Sequence, residues 1–232
     1  MKDGTTKEND DKEKIINGYV DMLRLRYLEF KESTERQYDQ VLDVELESPS
    51  FYLITTAYNL PSWMNNGSNG GAINLNLKTT LPYVHQNSIL LHNHICNKTV
   101  KNHFRKKNIK FLPIGLSFID LSQSKSNKYF VHTLPHTHAI YLIHPFKVKE
   151  FEKFASSGFR LKEAYETKGF QYFDKFKNTI NIQTVDGRLI ANTENDLYRA
   201  TSYAAKFHLS DFNQSLHVDI RDLSFDVMNK LK

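Results

Sequence analysis

A single cysteine, Cys96, in 232 residues excludes an internal disulfide and fits a reducing cytoplasm rather than a secreted, cross-linked scaffold. No run of apolar residues is long enough to span a bilayer, and no secretory leader is visible at the N-terminus. A Gly-rich phosphate loop of the Walker type is also missing, which argues against a fused helicase motor. Internal repeats are absent, so a solenoid is excluded. Acidic residues are scarce in one long region. Between Ser48 and Lys149 the only carboxylate is Asp120, against eleven Lys and Arg. That region carries +10, while the remainder of the chain carries −5. A block of one sign on this scale is the footprint expected for phosphate-backbone binding, with a merely basic surface as the plainer alternative.

What is present is chemistry at two short spacings. In Leu134-Pro135-His136-Thr137-His138-Ala139-Ile140-Tyr141-Leu142-Ile143 the apolar, β-branched and aromatic content predicts a strand. Strand side chains alternate, so His136 and His138 share one face and Thr137 takes the other. Two neutral imidazoles on one rigid face can hold a divalent cation. Downstream, Asp196-Leu197-Tyr198-Arg199-Ala200-Thr201-Ser202-Tyr203-Ala204-Ala205-Lys206-Phe207 reads as a helix, with Asn195 or Asp196 able to cap its start. Three helical residues advance about 300°, which puts Tyr203 and Lys206 on one face. A phenol beside an ammonium and a phosphate-binding metal is a credible nucleophile toward phosphorus. Taken alone, a helical Tyr with Lys at i+3 is more commonly a solvated edge. Tyr198 lies five residues before Tyr203, about 500° of rotation, so the two rings cannot easily serve one site. Packing or base stacking suits Tyr198 better.

A third element, Ser50-Phe51-Tyr52-Leu53-Ile54-Thr55-Thr56-Ala57-Tyr58-Asn59, predicts a strand ending in a turn before Pro61. The order Leu-Ile-Thr-Thr, Pro-His-Thr-His and Tyr-Ala-Ala-Lys resembles the HUH endonucleases. It is most similar to the single-tyrosine rolling-circle initiators of inovirus-type and plasmid elements, over roughly residues 50–210. Thr137 departs from the bulky apolar residue usual between the histidines. The resemblance implies an α+β fold, an antiparallel central sheet flanked by helices in an RNA-recognition-like palm. It also implies Mg²⁺ or Mn²⁺ held by His136, His138 and a third ligand from the preceding strand.

That strand is Phe111–Ile119, and the resemblance places the ligand near Asp120. A tight hairpin through Ser122–Asn127 would instead pair Asp120 nearer residue 130 than His136, unless a bulge around 132–135 closes the gap. His132, which shares parity with His136, is the rival. Tyr203 would then attack a phosphate of single-stranded or hairpin origin DNA, leaving a 5′-phosphotyrosine and a 3′-OH, with Lys206 steadying the phosphate or the phenolate. Lys101, Arg105, Lys106, Lys107 and Lys110 are the candidate DNA-binding residues. A host helicase and polymerase are the expected partners in the cytoplasm of a bacterial host, the chain being plasmid- or phage-encoded. Two other functions compete: a relaxase or single-strand transposase with the same chemistry, and a non-catalytic DNA-binding repressor or remnant.

The rest of the pattern predicts a polar, disordered tail over 1–9 and an N-terminal helical segment over 10–48. The nuclease domain follows over 49–232. The first helix opens at the Asp10/Glu13 pair and buries Ile16, Tyr19, Val20, Leu23, Tyr27 and Phe30. Further expectations are a short helix over Tyr38–Leu46 and an Asn/Gly-rich loop at Met64–Gly71. A helix over 85–107 buries Ile89, Ile95, Cys96, Val100 and Phe104, with Lys101, Arg105 and Lys106 near its end. Then come a helix at about 147–157, a strand at about 179–185 and a turn at Asp186-Gly187. His85, His92, His94, His103, His144, His208 and His217 fit no ligand spacing.

Overall fold

The computed structural model describes residues 3–38, 48–58, 77–120, 135–158, 160–161, 182–206 and 221–222. Residues 39–46 of the expected Tyr38–Leu46 helix, the Met64–Gly71 loop, the Ser122–Asn127 turn and His132 lie outside them. Alternating apolar residues build a sheet, and two pairs of helices cover its faces. The elements are α1 (Asp3–Tyr38), β1 (Ser50–Tyr58), α2 (Leu77–Thr99), β2 (Ile114–Asp120), β3 (His136–Ile143), α3 (Val148–Gly158), β4 (Arg160–Leu161), β5 (Ile182–Ile190), α4 (Glu194–Ala205) and β6 (Arg221–Asp222). The strand order is β4-β5-β1-β3-β2-β6. All pairings are antiparallel except β4 with β5. The fold is thus α+β, an antiparallel central sheet between helices, as the strand and helix pattern anticipates.

Each face buries its own core. On one, Phe51, Leu53, Leu116, Phe118, Ile140 and Leu142 meet Ile16, Val20 and Leu23 of α1 and Leu197, Ala200 and Ala204 of α4. On the other, Tyr52, Ile54, Tyr141 and Ile143 meet Val84, Leu91 and Ile95 of α2 and Phe151, Phe154 and Ala155 of α3. Because both faces are covered, β3 is buried almost throughout, and from Ala139 to Ile143 it is a continuous apolar run rather than an alternating one. Among the described residues no helix is long and apolar enough to cross a membrane.

Several boundaries differ from expectation. Residues 3–9, expected to be disordered, extend α1, so Asp10 and Glu13 lie inside the helix rather than at its start; Lys7 and Glu8 are favourable helix formers there. The second helix starts earlier and stops at Thr99 rather than reaching 107. Phe104 therefore leaves the buried helical face and is 58% exposed, whereas Ile95, Cys96 and Val100 are buried as expected. Asp186-Gly187 is not a turn. Both residues lie mid-strand in β5, opposite Thr55 and Ile54 of β1 and also paired to β4. Partners on both sides override a dipeptide that favours turns in isolation.

Thr137 occupies the far side of β3 from the histidines and is buried. Its hydroxyl lies 3.1 Å from Tyr58 Oη, which is 2.8 Å from Ser88 Oγ of α2. The departure from an apolar residue thus serves a closed polar trio that ties β3, β1 and α2 together.

Gly115 is required by close packing. A Cβ there would stand 2.9 Å from Cε1 of Tyr141 and 3.2 Å from Nδ1 of His92. Gly115→Ala should lower unfolding stability by about 1–3 kcal/mol, measured as a urea midpoint shift at constant m. Three histidines are held neutral by burial. His92 is pushed down to about 3, His94 to about 4 and His144 to about 4, with Lys98 beside His94 and Lys110 and Lys147 beside His144 adding to the effect. His144 Nδ1 accepts from the Phe146 N–H, which leaves Nε2–H to face Ser33 Oγ at 3.3 Å. The unfolded chain takes up protons near 6.5 and the fold resists them, so stability is full above that pH and falls as pH drops toward 4. The thermal midpoint should decline steadily from pH 7 to pH 4; a flat profile would contradict the buried-neutral assignment.

Candidate metal centre

Register decides the site. In the β2–β3 ladder Asp120 is the direct partner of His136, and Phe118 that of His138. Asp120 is therefore on the same sheet face as both imidazoles, at the end of β2. The expectation that a hairpin would pair it nearer residue 130 is corrected by this register. Asp120 Oδ2 lies 3.3 Å from His136 Nε2 and 3.4 Å from His138 Nε2. The three ligand atoms all lie within 4.8 Å of one another. The Asp120 side chain is fully buried, that of His138 is 2% exposed and that of His136 is 20% exposed, so the cluster opens to solvent on the His136 side.

These residues can hold a metal ion. Ligands about 2.1 Å from a tetrahedral or octahedral ion are roughly 3.0–3.4 Å apart, which matches the observed N···O spacings. The second observation is the state of His138. Its Nδ1 is 2.9 Å from Thr55 Oγ1, the β1 residue directly opposite it. Its Nε2 is buried and faces Asp120 Oδ2 at 3.4 Å. In the tautomer that donates Nδ1–H to Thr55, the Nε2 lone pair is aimed at the cluster, the usual arrangement of a metal-bound imidazole. Burial pushes the His138 imidazole below the usual histidine range. His136 and Lys206 push the same way, while Asp120 opposes them. The neutral, ligating form is thereby favoured.

Helix α4 brings the remaining groups. Thr193, not Asn195 or Asp196, is its N-cap: Thr193 Oγ1 accepts from the Asp196 N–H at 3.1 Å and donates to Asp196 Oδ2 at 2.5 Å. This reciprocal pair fixes where the helix begins. Leu197, Ala200, Ala204 and Ala205 seat it on the site face of the sheet. The Tyr203 ring then lies 4.7 Å from the His138 ring, and Tyr203 is 46% exposed. Lys206 Nζ lies 4.9 Å from the centre of the Tyr203 ring and 2.8 Å from Asp120 Oδ2. The ammonium thus compensates the same oxygen that faces both imidazoles. Tyr198 is partly buried against the core that α1 and α4 share with the sheet.

The five basic residues are not part of this arrangement. Lys101 and Arg105 lie on the turn after α2, and Lys106, Lys107 and Lys110 on the 3-10 segment Lys106–Phe111. That segment leads into the start of β2, whereas Asp120 ends it. Thr55 was not foreseen as a site residue. Its motif was visible, but which of Thr55 and Thr56 faces the histidines depends on the β1–β3 register.

Comparison with protein-family models, curated proteins and solved structures finds no match.

Thr55→Val should weaken Mn²⁺ binding about 10- to 100-fold by calorimetry, the usual cost of losing a ligand's outer hydrogen-bond partner. Thr55→Ser should retain it. Asp120→Asn should abolish it.

Proposed function

We propose that this chain is a metal-dependent, site-specific nickase and ligase for single-stranded DNA, of HUH type, that starts rolling-circle replication. The observation carrying this reading is the convergence of Asp120, His136, His138, Tyr203 and Lys206 from β2, β3 and α4 on one end of one sheet face. The protein's own groups divide the work. Asp120, His136 and His138 form the cation seat, and Thr55 fixes the ring of His138. A divalent cation bound there would supply Lewis-acid polarisation of a phosphate oxygen. Imidazole nitrogens suit Mn²⁺ better than Mg²⁺, which prefers an all-oxygen shell.

Tyr203 Oη is the nucleophile, on an exposed ring beside the seat. Its bond to phosphorus forms as the bond from phosphorus to the 3′ oxygen breaks. The phenol proton passes to solvent and the 3′ oxygen gains one, so the balance closes without ATP. The phosphotyrosine keeps the energy needed for religation by a 3′-OH. Lys206 stabilises developing negative charge at the phenol through its position near the ring, and it neutralises Asp120 when no other cation does.

The test is covalent capture of a labelled circular single-stranded library in Mn²⁺. Wild type should form a protein–DNA adduct, and Tyr203→Phe should lose it by at least a thousandfold while keeping DNA binding. Loss of the adduct in Tyr198→Phe with Tyr203→Phe unaffected would reverse the assignment, and undiminished cleavage in saturating chelator would remove the metal from it.

A further inference from the structure

Between α2 and β2 the chain makes a rigid, strongly basic knuckle that the proposed chemistry does not use. Asn108 Nδ2 donates to the carbonyls of Lys101 and Asn102, at 2.9 and 3.0 Å. Arg105 N–H and Asn108 N–H donate to the Asn102 and Arg105 carbonyls. Asn102 takes a positive φ of 55°, which lets the chain reverse there. Beneath the turn Cys96, Val100 and Leu112 form a small apolar core of their own, with Ile109 and Phe111 against it. Lys101, Arg105, Lys106, Lys107 and Lys110 are all exposed. Asp120, the sole carboxylate between Ser48 and Lys149, is buried at the far end of β2. Amid these cations stands Phe104, 58% exposed. A large apolar ring held in water by a braced turn has no role in the core.

We propose that this knuckle is a second docking site for single-stranded DNA, with Phe104 as a base-stacking platform and the surrounding cations as phosphate contacts. Aromatic rings interleaved with Lys and Arg are what unpaired nucleic acid binds, because every base has a π-face. β2 alone, from Ile114 to Asp120, runs six residue steps, about 20 Å at roughly 3.3 Å per residue, and the knuckle lies beyond its start. A strand reaching both would span at least about six stacked nucleotides at about 3.4 Å each. Identification of the bound strand as substrate rests on the nickase reading; the docking site itself does not.

Anisotropy of labelled sixteen-nucleotide oligodeoxythymidine with the full chain, in chelator, tests it apart from cleavage. Phe104→Ala should weaken binding about five- to hundredfold with an unchanged urea midpoint, and Phe104→Trp should restore it. Lys106→Ala with Lys107→Ala should flatten the log–log salt dependence by about 1.4. A blunt duplex of equal length should be insensitive to Phe104→Ala. Unchanged oligodeoxythymidine binding in Phe104→Ala would overturn the proposal, and so would an equal loss on duplex. Adduct formation by wild type is scored separately, so a failed nickase reading and a failed docking site give different results.

Discussion

A carboxylate without access to water needs a positive partner, and Asp120 is that carboxylate here. The end of the sheet is arranged around it. Two imidazoles approach the same oxygen from β3, and an ammonium approaches it from α4. Lys206 can reach Asp120 only because α4 is seated by Leu197, Ala200 and Ala204 and started at a fixed point by Thr193. The same seating sets the Tyr203 ring against His138. Placement of the Tyr203 ring and charge compensation of Asp120 are thus one packing event. A cation held between Asp120 and the histidines would compete with Lys206 for Oδ2, leaving the ammonium on the side where Tyr203 stands.

The rest of the sheet holds this end steady. His138 is locked from β1 by Thr55, and Thr137, pointing the other way, is locked by Tyr58 and through it by Ser88. Consecutive residues of β3 are therefore pinned on opposite faces, which limits rotation of the strand and keeps the imidazoles in register with Asp120. Gly115 permits the close approach of Tyr141 and His92 further along the ladder. The basic knuckle lies beyond that point, at the other end of β2.

How much of this was legible in the sequence follows from the range of each interaction. The shared face of His136 and His138 and the shared helical face of Tyr203 and Lys206 are local periodicities, and the structure has both. The apolar face of α1 was legible for the same reason. Asp120 could be placed near the histidines only through the family resemblance, because its register depends on the path of residues 121–134. Thr55 needed the pairing of β1 with β3, separated by most of the chain's middle. Asp186-Gly187 misled because local turn chemistry says nothing about neighbours on both strand edges. Phe104 was assigned to a buried helical face by extending α2 past Thr99, and that error hid its exposure.

The central claim is that Asp120, His136 and His138 are a cation seat and not only a buried ion-pair cluster. Crystals equilibrated with Mn²⁺ and measured for anomalous scattering test it most directly. The account predicts one strong peak within about 2.0–2.3 Å of Asp120 Oδ2 and both Nε2 atoms, with the Lys206 ammonium displaced from the carboxylate. An intact Lys206–Asp120 contact at saturating Mn²⁺, with no anomalous density between the three side chains, would contradict it.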